Sequence, residues 1–151
     1  MSTLEQAIAI AACAHEGQID KADQPYVLHP LRMMLRLSKN EERIVAVLHD
    51  VVEDCGVPLE SLRKEGFSQA VIDAVDSVTH PKDEPYEAYI RRVASNPIGR
   101  RVKLLDLEDN CDLSRISKPT AGDYERIEKY RRAVETIRTL EGCNHAQQGE
   151  V

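Results

Sequence analysis

Apolar residues recur at intervals of three and four positions through most of the chain, which is the spacing of one face of an α-helix. Polar stretches that contain glycine, proline or asparagine interrupt these runs and mark the turns. The predicted helices cover approximately residues 4–15, 30–37, 40–55, 59–64, 68–75, 86–94, 98–113 and 123–140. No stretch shows the sustained alternation of apolar and polar residues that marks a half-buried strand. The pattern therefore predicts an all-α bundle of about seven or eight helices with mostly short connections.

Length and composition support this interpretation. The chain has 151 residues, which suits one domain with a real core. Its 30% charged residues and seven glycines favour helices over a β-sandwich. We place the domain at residues 1–141. Gly142 ends the last predicted helix, and we predict that the polar residues 142–151 form a disordered tail.

The overall charge limits the partners that the protein can have. A net charge of −6 argues against binding to nucleic acid or to an anionic membrane, because both need a dominant basic face. No run approaches the roughly 18 apolar residues of a membrane span, and the first residues lack a signal-peptide pattern. Four cysteines without a CxxC pair suit a reducing compartment. We therefore expect a cytoplasmic protein whose partner is a small molecule, and its oligomeric state stays open.

The densest group of chemically active side chains follows the apolar run 44–48, in the sequence His49-Asp50-Val51-Val52-Glu53-Asp54. Carboxylates at the end of a buried helix are costly without a positive partner. His49 and Asp50 could therefore be adjacent ligands of a divalent metal where the helix bends or ends. Glu53 and Asp54 lie one turn further on, within reach of a water at that metal. The alternative is an acidic helix end in solvent.

Two more distant residues are candidates to complete a metal site. His29 precedes Pro30, which keeps its backbone out of the helical region and fixes the start of a helix. Asp106 follows apolar residues on a helix that the pattern predicts to be buried, so its carboxylate needs a cation. The alternatives are a structural role for His29 and an ion pair of Asp106 with Lys103 or Arg101. Two imidazoles and two carboxylates fit Mn²⁺, Fe²⁺ or Zn²⁺.

The order of these residues carries a family resemblance. His29, the pair His49-Asp50 and the distant Asp106 follow the H…HD…D order of the HD-domain metal-dependent phosphohydrolases. The segments 14–18 (AHEGQ), 25–30 (PYVLHP), 49–54 (HDVVED) and 102–110 (VKLLDLEDN) are similar to the hydrolase domain of the RelA/SpoT alarmone enzymes. The layout also resembles the small stand-alone alarmone hydrolases, over about residues 4–140.

The resemblance implies an HD-domain helical bundle and a role for each matched residue. Mn²⁺, or another divalent transition metal, is the implied cofactor, bound by His29, His49, Asp50 and Asp106. Glu53 and Asp54 are the implied catalytic residues that handle the attacking water. The implied reaction removes the 3′-pyrophosphate from ppGpp or pppGpp. The resemblance also implies that Asn110 lines the nucleotide-sugar pocket and that Lys21 approaches a phosphate. We add Lys103 and Tyr130 as candidate substrate-binding residues, with core packing as the alternative for Tyr130.

One position departs from the family pattern. After AHEGQ the alarmone hydrolases usually carry an Arg-Lys pair whose arginine packs on the guanine base, whereas this chain has Asp20-Lys21. A carboxylate cannot stack as a guanidinium does, and it repels phosphate. An adenosine alarmone such as pppApp, or another 3′-phosphorylated nucleotide, is therefore an alternative substrate. Basic residues further along the chain could supply charge to the pocket, with surface exposure as the alternative: His80, Lys82, Arg91, Arg92, Arg100 and Arg101.

Two other functions stay open on the same residues. One is a nucleotidase or phosphatase of the HD type that acts on another phosphorylated nucleotide. The other is a nucleotide sensor that keeps the fold without catalysis, although the proposed ligands and both acidic residues are present.

Overall fold

The computed structural model describes residues 2–148, with side chains described through residue 143. Within that range the chain forms nine α-helices and, apart from an isolated bridge between Ile19 and Pro25, no β-pairing. The helices are α1 (Leu4–Ala14), α2 (Leu28–Leu35), α3 (Asn40–Leu48), α4 (Val51–Cys55), α5 (Leu59–Lys64), α6 (Gln69–Ser77), α7 (Tyr86–Ala94), α8 (Pro97–Asn110) and α9 (Ala121–Gln148). The predicted all-α bundle is confirmed.

One predicted helix is two helices in the structure. The segment that we expected to run through residues 40–55 ends as α3 at Leu48 and resumes as α4 at Val51. His49 and Asp50 occupy the break, and Asp50 has backbone angles of φ −99° and ψ −5°. Gly56 then ends α4 in the left-handed conformation, with φ 68°, which glycine adopts without steric cost. The break explains why the structure has more helices than the pattern predicts.

The helix starts follow the capping residues in the sequence. Thr3 forms a capping box with Gln6 at the start of α1, and Ser68 accepts a hydrogen bond from the Val71 amide at the start of α6. Asn96 accepts from the Gly99 amide, and Pro97 occupies the first turn of α8. These local bonds fix the starts of α1, α6 and α8.

Two apolar clusters form the core, and α8 contributes to both. The first is built from α1 to α6 and includes Val102 and Leu105 of α8. The second lies between α7, α8 and α9 and includes Leu107. Asp106 lies between these apolar positions in the sequence and is itself buried. The helix that carries the predicted distant ligand is therefore held on both sides by packing.

The last helix is longer than predicted. It runs through Gly142 to Gln148, because one glycine inside a helix costs about 1 kcal/mol and does not end it unless the backbone leaves the helical conformation. Residues 149–151, at the end of the predicted tail, lie outside the described residues. Every helix in the described part of the chain is too short or too polar to cross a bilayer.

Candidate active site

Three parts of the bundle bring the four predicted metal ligands together. His29 lies in the first turn of α2, which begins at Leu28, so the prediction that Pro30 keeps His29 out of the helix is wrong. His49 and Asp50 lie in the break between α3 and α4, and Asp106 lies on α8. The Nε2 atom of His29 is 3.0 Å from Asp106 Oδ1 and 3.9 Å from Asp50 Oδ2. The Nε2 atom of His49 is 3.0 Å from Asp50 Oδ2 and 3.5 Å from Asp106 Oδ1. All four residues are at least nine-tenths buried.

The two histidines present the same nitrogen to this cluster. The Nδ1 atom of His49 is 2.7 Å from the carbonyl oxygen of Ala46, and a carbonyl can only accept, so Nδ1 carries a proton. His49 Nε2 is buried and has no hydrogen-bond partner among the described residues, although carboxylate oxygens lie close to it. Carboxylates that surround this nitrogen favour a positive charge there, supplied by a proton on the ring or by a bound metal ion, so these residues fit a divalent metal.

In this cluster the pKa of each group depends on the charges of its neighbours. Burial disfavours the charged form of both rings, but hydrogen bonds from His29 to Asp106 and Asp109, and the charge of Asp50 beside His49, raise the pKa of both imidazoles. Burial also opposes ionisation of Asp106, yet the charge of Lys103 holds the pKa of this carboxyl well below its usual range. The cluster therefore keeps its carboxylates ionised, as a metal site requires.

Asp106 has further partners that keep its carboxylate in place. Lys103 Nζ lies 2.8 Å from Oδ2, and the side-chain amide of Asn110 donates to Oδ1 at 2.8 Å. The ion pair with Lys103 that we considered as an alternative is thus present alongside the histidine contacts. Arg101, the other candidate for that pair, lies 3.6 Å from Glu42 instead.

Glu53 and Asp54 lie beside the buried cluster on α4 and are exposed. Carboxylate oxygens of Asp50, Glu53 and Asp54, one from each residue, lie within 4.8 Å of one another. Glu53 accepts a hydrogen bond from the backbone amide of His80 at 2.6 Å. Partial burial and the charges of Asp50 and Glu53 raise the pKa of Asp54 to about 6. A carboxyl that titrates near neutral pH is suited to general acid and base chemistry.

A cavity of about 510 Å³ opens over the cluster. It is lined by all four predicted substrate-binding residues, namely Lys21, Lys103, Asn110 and Tyr130, and by Glu53 and Asp54. The basic residues from the middle of the chain that we considered as a source of cavity charge do not line it in the described structure; for example, Arg92 pairs with Glu84 at 3.0 Å. The alternative, that these residues lie elsewhere on the protein surface, is the one that the cavity lining favours. Arg32, Arg115 and Arg126 contribute the positive charge instead.

Asp20, the departure from the family pattern, also lines the cavity. Its Oδ1 atom accepts hydrogen bonds from the backbone amides of Ala22 at 2.8 Å and Gln24 at 3.0 Å. An aspartate that closes a turn in this way has a structural role. The adjacent Lys21 is 64% exposed at the side chain and lies 3.7 Å from Asp123. Asp20 therefore shapes the loop that borders the cavity.

Sequence reasoning missed three residues at the centre of the site. The Tyr26 hydroxyl donates to Asp50 Oδ2 at 2.5 Å. Asp109 accepts from His29 Nδ1 and from Arg32. For Arg32 and Asp109 the sequence held a signal, because Arg32 follows His29 by three residues and Asp109 follows Asp106 by three, which places each pair on one helix face.

Comparison with known proteins supports the resemblance that the motifs carry. No protein-family model matches the chain. A guanosine-3′,5′-bis(diphosphate) 3′-pyrophosphohydrolase of Aquifex aeolicus is 33% identical over 118 residues, which are 72% of this chain and 17% of the relative. The Vibrio cholerae protein of the same name is 31% identical over 149 residues, or 91% of this chain and 20% of the relative. The chain thus spans about a fifth of the length of these curated relatives.

A solved structure matches the whole fold. The structure described as "A metazoan ortholog of SpoT hydrolyzes ppGpp and plays a role in starvation responses" superposes with a TM-score of 0.72 and 22% sequence identity. The superposition covers 100% of this chain and 98% of that chain. In fold and in sequence the chain is similar to the HD-domain hydrolases. Within that class, the chain resembles the hydrolases of the RelA/SpoT type, and the predicted resemblance is confirmed.

Proposed function

We propose that the chain is a metal-dependent hydrolase that removes the 3′-pyrophosphate from an alarmone nucleotide of the (p)ppGpp or (p)ppApp type. The observation that carries the proposal is the buried group of His29, His49, Asp50 and Asp106 at the base of a cavity large enough for a nucleotide. The names of the curated relatives support the substrate class. We expect this activity in the cytoplasm.

Mn²⁺ is the proposed cofactor, held by the two imidazoles and the two carboxylates. When bound, a divalent metal activates water and offsets negative charge on the phosphate oxygens. The unpartnered Nε2 of His49 supports this assignment, because a buried nitrogen without a hydrogen bond is costly in a protein interior. Other divalent transition metals suit the same ligands.

The protein side chains handle the proton and orient the nucleotide. A water oxygen attacks the phosphorus atom bonded to the 3′ oxygen, and Asp54 or Glu53 accepts the water proton. The bond between that phosphorus and the 3′ oxygen breaks, and the 3′ oxygen takes up a proton from solvent. The products are pyrophosphate and a nucleoside 5′-diphosphate or 5′-triphosphate. Lys21 and Lys103 neutralise phosphate charge, while Asn110 and Tyr130 contact the sugar or base.

The test is a substrate panel with Mn²⁺-loaded protein. The panel contains ppGpp, pppGpp, ppApp, pppApp, 3′-phosphonucleotides and nucleoside 5′-monophosphates, and ³¹P NMR identifies what is released. Release of pyrophosphate from the 3′ position, abolished by removal of metal, is the expected result. Release of orthophosphate alone would favour a nucleotidase or phosphatase. Binding without turnover of any compound would favour a sensor and would overturn the proposal.

The same panel addresses base selectivity. The Asp20 carboxylate is engaged by two backbone amides, so it is not available as a stacking group for guanine. We therefore expect a smaller preference for guanine over adenine than a stacking arginine would give. Turnover of the guanine and adenine compounds under identical conditions measures that preference.

A further inference from the structure

The two proposed histidine ligands are held in different ways. His49 Nδ1 faces a backbone carbonyl of its own helix, that of Ala46. His29 Nδ1 faces a side chain from another helix, with 2.6 Å between Nδ1 and Asp109 Oδ2. His29 is 3% exposed, so water does not compete for this contact. The orientation of His49 is therefore set by its helix, whereas that of His29 depends on a carboxylate from α8.

Asp109 is itself held on several sides. Arg32 binds it in a bidentate manner, with Nε 3.0 Å from Oδ1 and an Nη2 atom 2.9 Å from Oδ2. Arg115 adds contacts from the segment after α8, at 3.1 Å to the backbone carbonyl oxygen and 3.4 Å to Oδ2. A bidentate guanidinium fixes both the position and the plane of a carboxylate. The carboxylate that His29 faces is thus immobilised before any metal arrives.

We propose that Asp109 is a positioning residue of the metal centre: it holds His29 with Nδ1 protonated and Nε2 directed at Asp50 and Asp106, and Arg32 and Arg115 hold Asp109. The inference rests on the proposed metal site. A carboxylate that accepts from the remote nitrogen of a histidine fixes the tautomer and increases the basicity of the nitrogen that binds metal. Asp109 does not need to touch metal or substrate to have this effect.

The test measures Mn²⁺ affinity by calorimetry in four proteins: wild type, Asp109→Asn, Arg32→Gln and Glu108→Gln. Asp109→Asn should weaken Mn²⁺ binding about 10- to 100-fold, and Arg32→Gln should weaken it less. Glu108→Gln is the matched control, since it removes the same charge from the adjacent position, where the carboxylate pairs with Arg36. Its affinity should stay within about twofold of wild type.

A second measurement separates positioning from a general effect on folding. Histidine labelled with ¹⁵N reports which ring nitrogen carries the proton, and Zn²⁺ provides a diamagnetic probe. In the Zn²⁺-loaded wild type, His29 should show a protonated Nδ1 and a metal-bound Nε2. In Asp109→Asn the Nδ1 signal should change while that of His49 stays as it is, because Ala46 still accepts from His49.

The outcomes distinguish this inference from the proposed function. If wild type and variants bind no Mn²⁺, the metal site and the positioning role both fail. If His29→Ala abolishes binding but Asp109→Asn keeps the wild-type affinity, the metal site stands and the positioning role is wrong. If Asp109→Asn does not fold, Arg32→Gln decides, and an affinity and His29 spectrum equal to those of wild type would overturn the inference.

Discussion

Two groups of potential metal ligands share Asp50, and they differ in burial. His29, His49 and Asp50 are all buried, whereas Glu53 and Asp54, which join Asp50 in the second group, are exposed. The buried group is held by further hydrogen bonds, which Tyr26 donates to Asp50 and His29 donates to Asp109. The exposed group lies on the short helix α4 and faces the cavity.

This difference assigns separate roles to residues that are only four positions apart. An unpaired charge has a high free energy when it is buried. The buried residues are therefore held in place by their neighbours and are suited to bind a cation. Glu53 and Asp54 reach solvent, so they can exchange protons with water. We therefore interpret the buried group as the metal centre and the exposed pair as the groups that handle the attacking water.

Removal of a buried ligand should have the largest effect. Asp106→Asn should abolish metal binding and activity, and it also leaves the Lys103 ammonium, which is largely shielded from solvent, without its carboxylate partner. Loss of one member of a buried ion pair costs about 3–5 kcal/mol of folding free energy. Metal analysis after gel filtration and chemical denaturation measure the two losses. The double variant Lys103→Met/Asp106→Asn should recover stability but should still bind no metal. If its stability stays as low as that of Asp106→Asn, this account of Lys103 is wrong.

Substitution of the exposed pair should separate catalysis from metal binding. Glu53→Gln and Asp54→Asn should each lower kcat about 10²- to 10⁴-fold, the usual contribution of general acid and base groups. Metal content should stay at the wild-type level because neither residue belongs to the buried group. Kinetics and metal analysis on the same preparations check this. Loss of metal in either variant would mean that the exposed group is the metal site.

Removal of the Tyr26 hydroxyl should have an intermediate effect. The hydroxyl donates to Asp50, and a hydrogen bond to a charged group contributes about 1.5–3 kcal/mol. Tyr26→Phe should therefore weaken Mn²⁺ binding by about tenfold, since support of a ligand by a neighbouring group has an effect of this order. Calorimetry with Mn²⁺ measures it. Tyr124→Phe is the matched control, because Tyr124 is 59% exposed and lies outside the cavity lining; equal affinities for both variants would contradict the prediction.

The smallest expected effect concerns stability and pH. The pKa of Asp54 is raised in the folded protein from its usual 3.8 to about 6, so the folded state favours the protonated carboxyl. The stabilisation by protonation is complete below about pH 4 and is lost as pH rises through about 6. In the metal-free protein, Asp54→Asn should therefore raise the thermal midpoint near neutral pH and have little effect near pH 4. Thermal unfolding in chelator at both pH values tests this, and an equal shift at both would exclude the mechanism.

Local sequence was sufficient for the parts of the site that lie on one segment. The dense group from His49 to Asp54 was recognisable because its chemistry is contiguous, and the order of His29 and Asp106 around it matched a known family. We considered a bend or an end of the helix at His49 and Asp50, but the spacing of apolar residues continues across this point and does not locate the break. Helical spacing also missed the continuation of α9 through Gly142.

Contacts between helices were beyond sequence reasoning. The bonds of Asp109 to His29 and Arg32 join residues that are 80 and 77 positions apart. The Tyr26 bond to Asp50 spans 24 positions. Such pairs depend on how α2, α8 and the α3–α4 break pack, and a single sequence carries no record of that packing. The same reason explains why Arg32, Arg115 and Arg126, which line the cavity, were not recognised from the sequence as its basic residues.

The most direct test of the central claim is a crystal structure of the protein soaked in Mn²⁺, with anomalous scattering recorded at the manganese edge. The account predicts one peak bounded by His29 Nε2, His49 Nε2 and the carboxylates of Asp50 and Asp106. A peak among Asp50, Glu53 and Asp54 with none at the histidines would contradict it. So would the absence of any peak at a Mn²⁺ concentration that supports turnover.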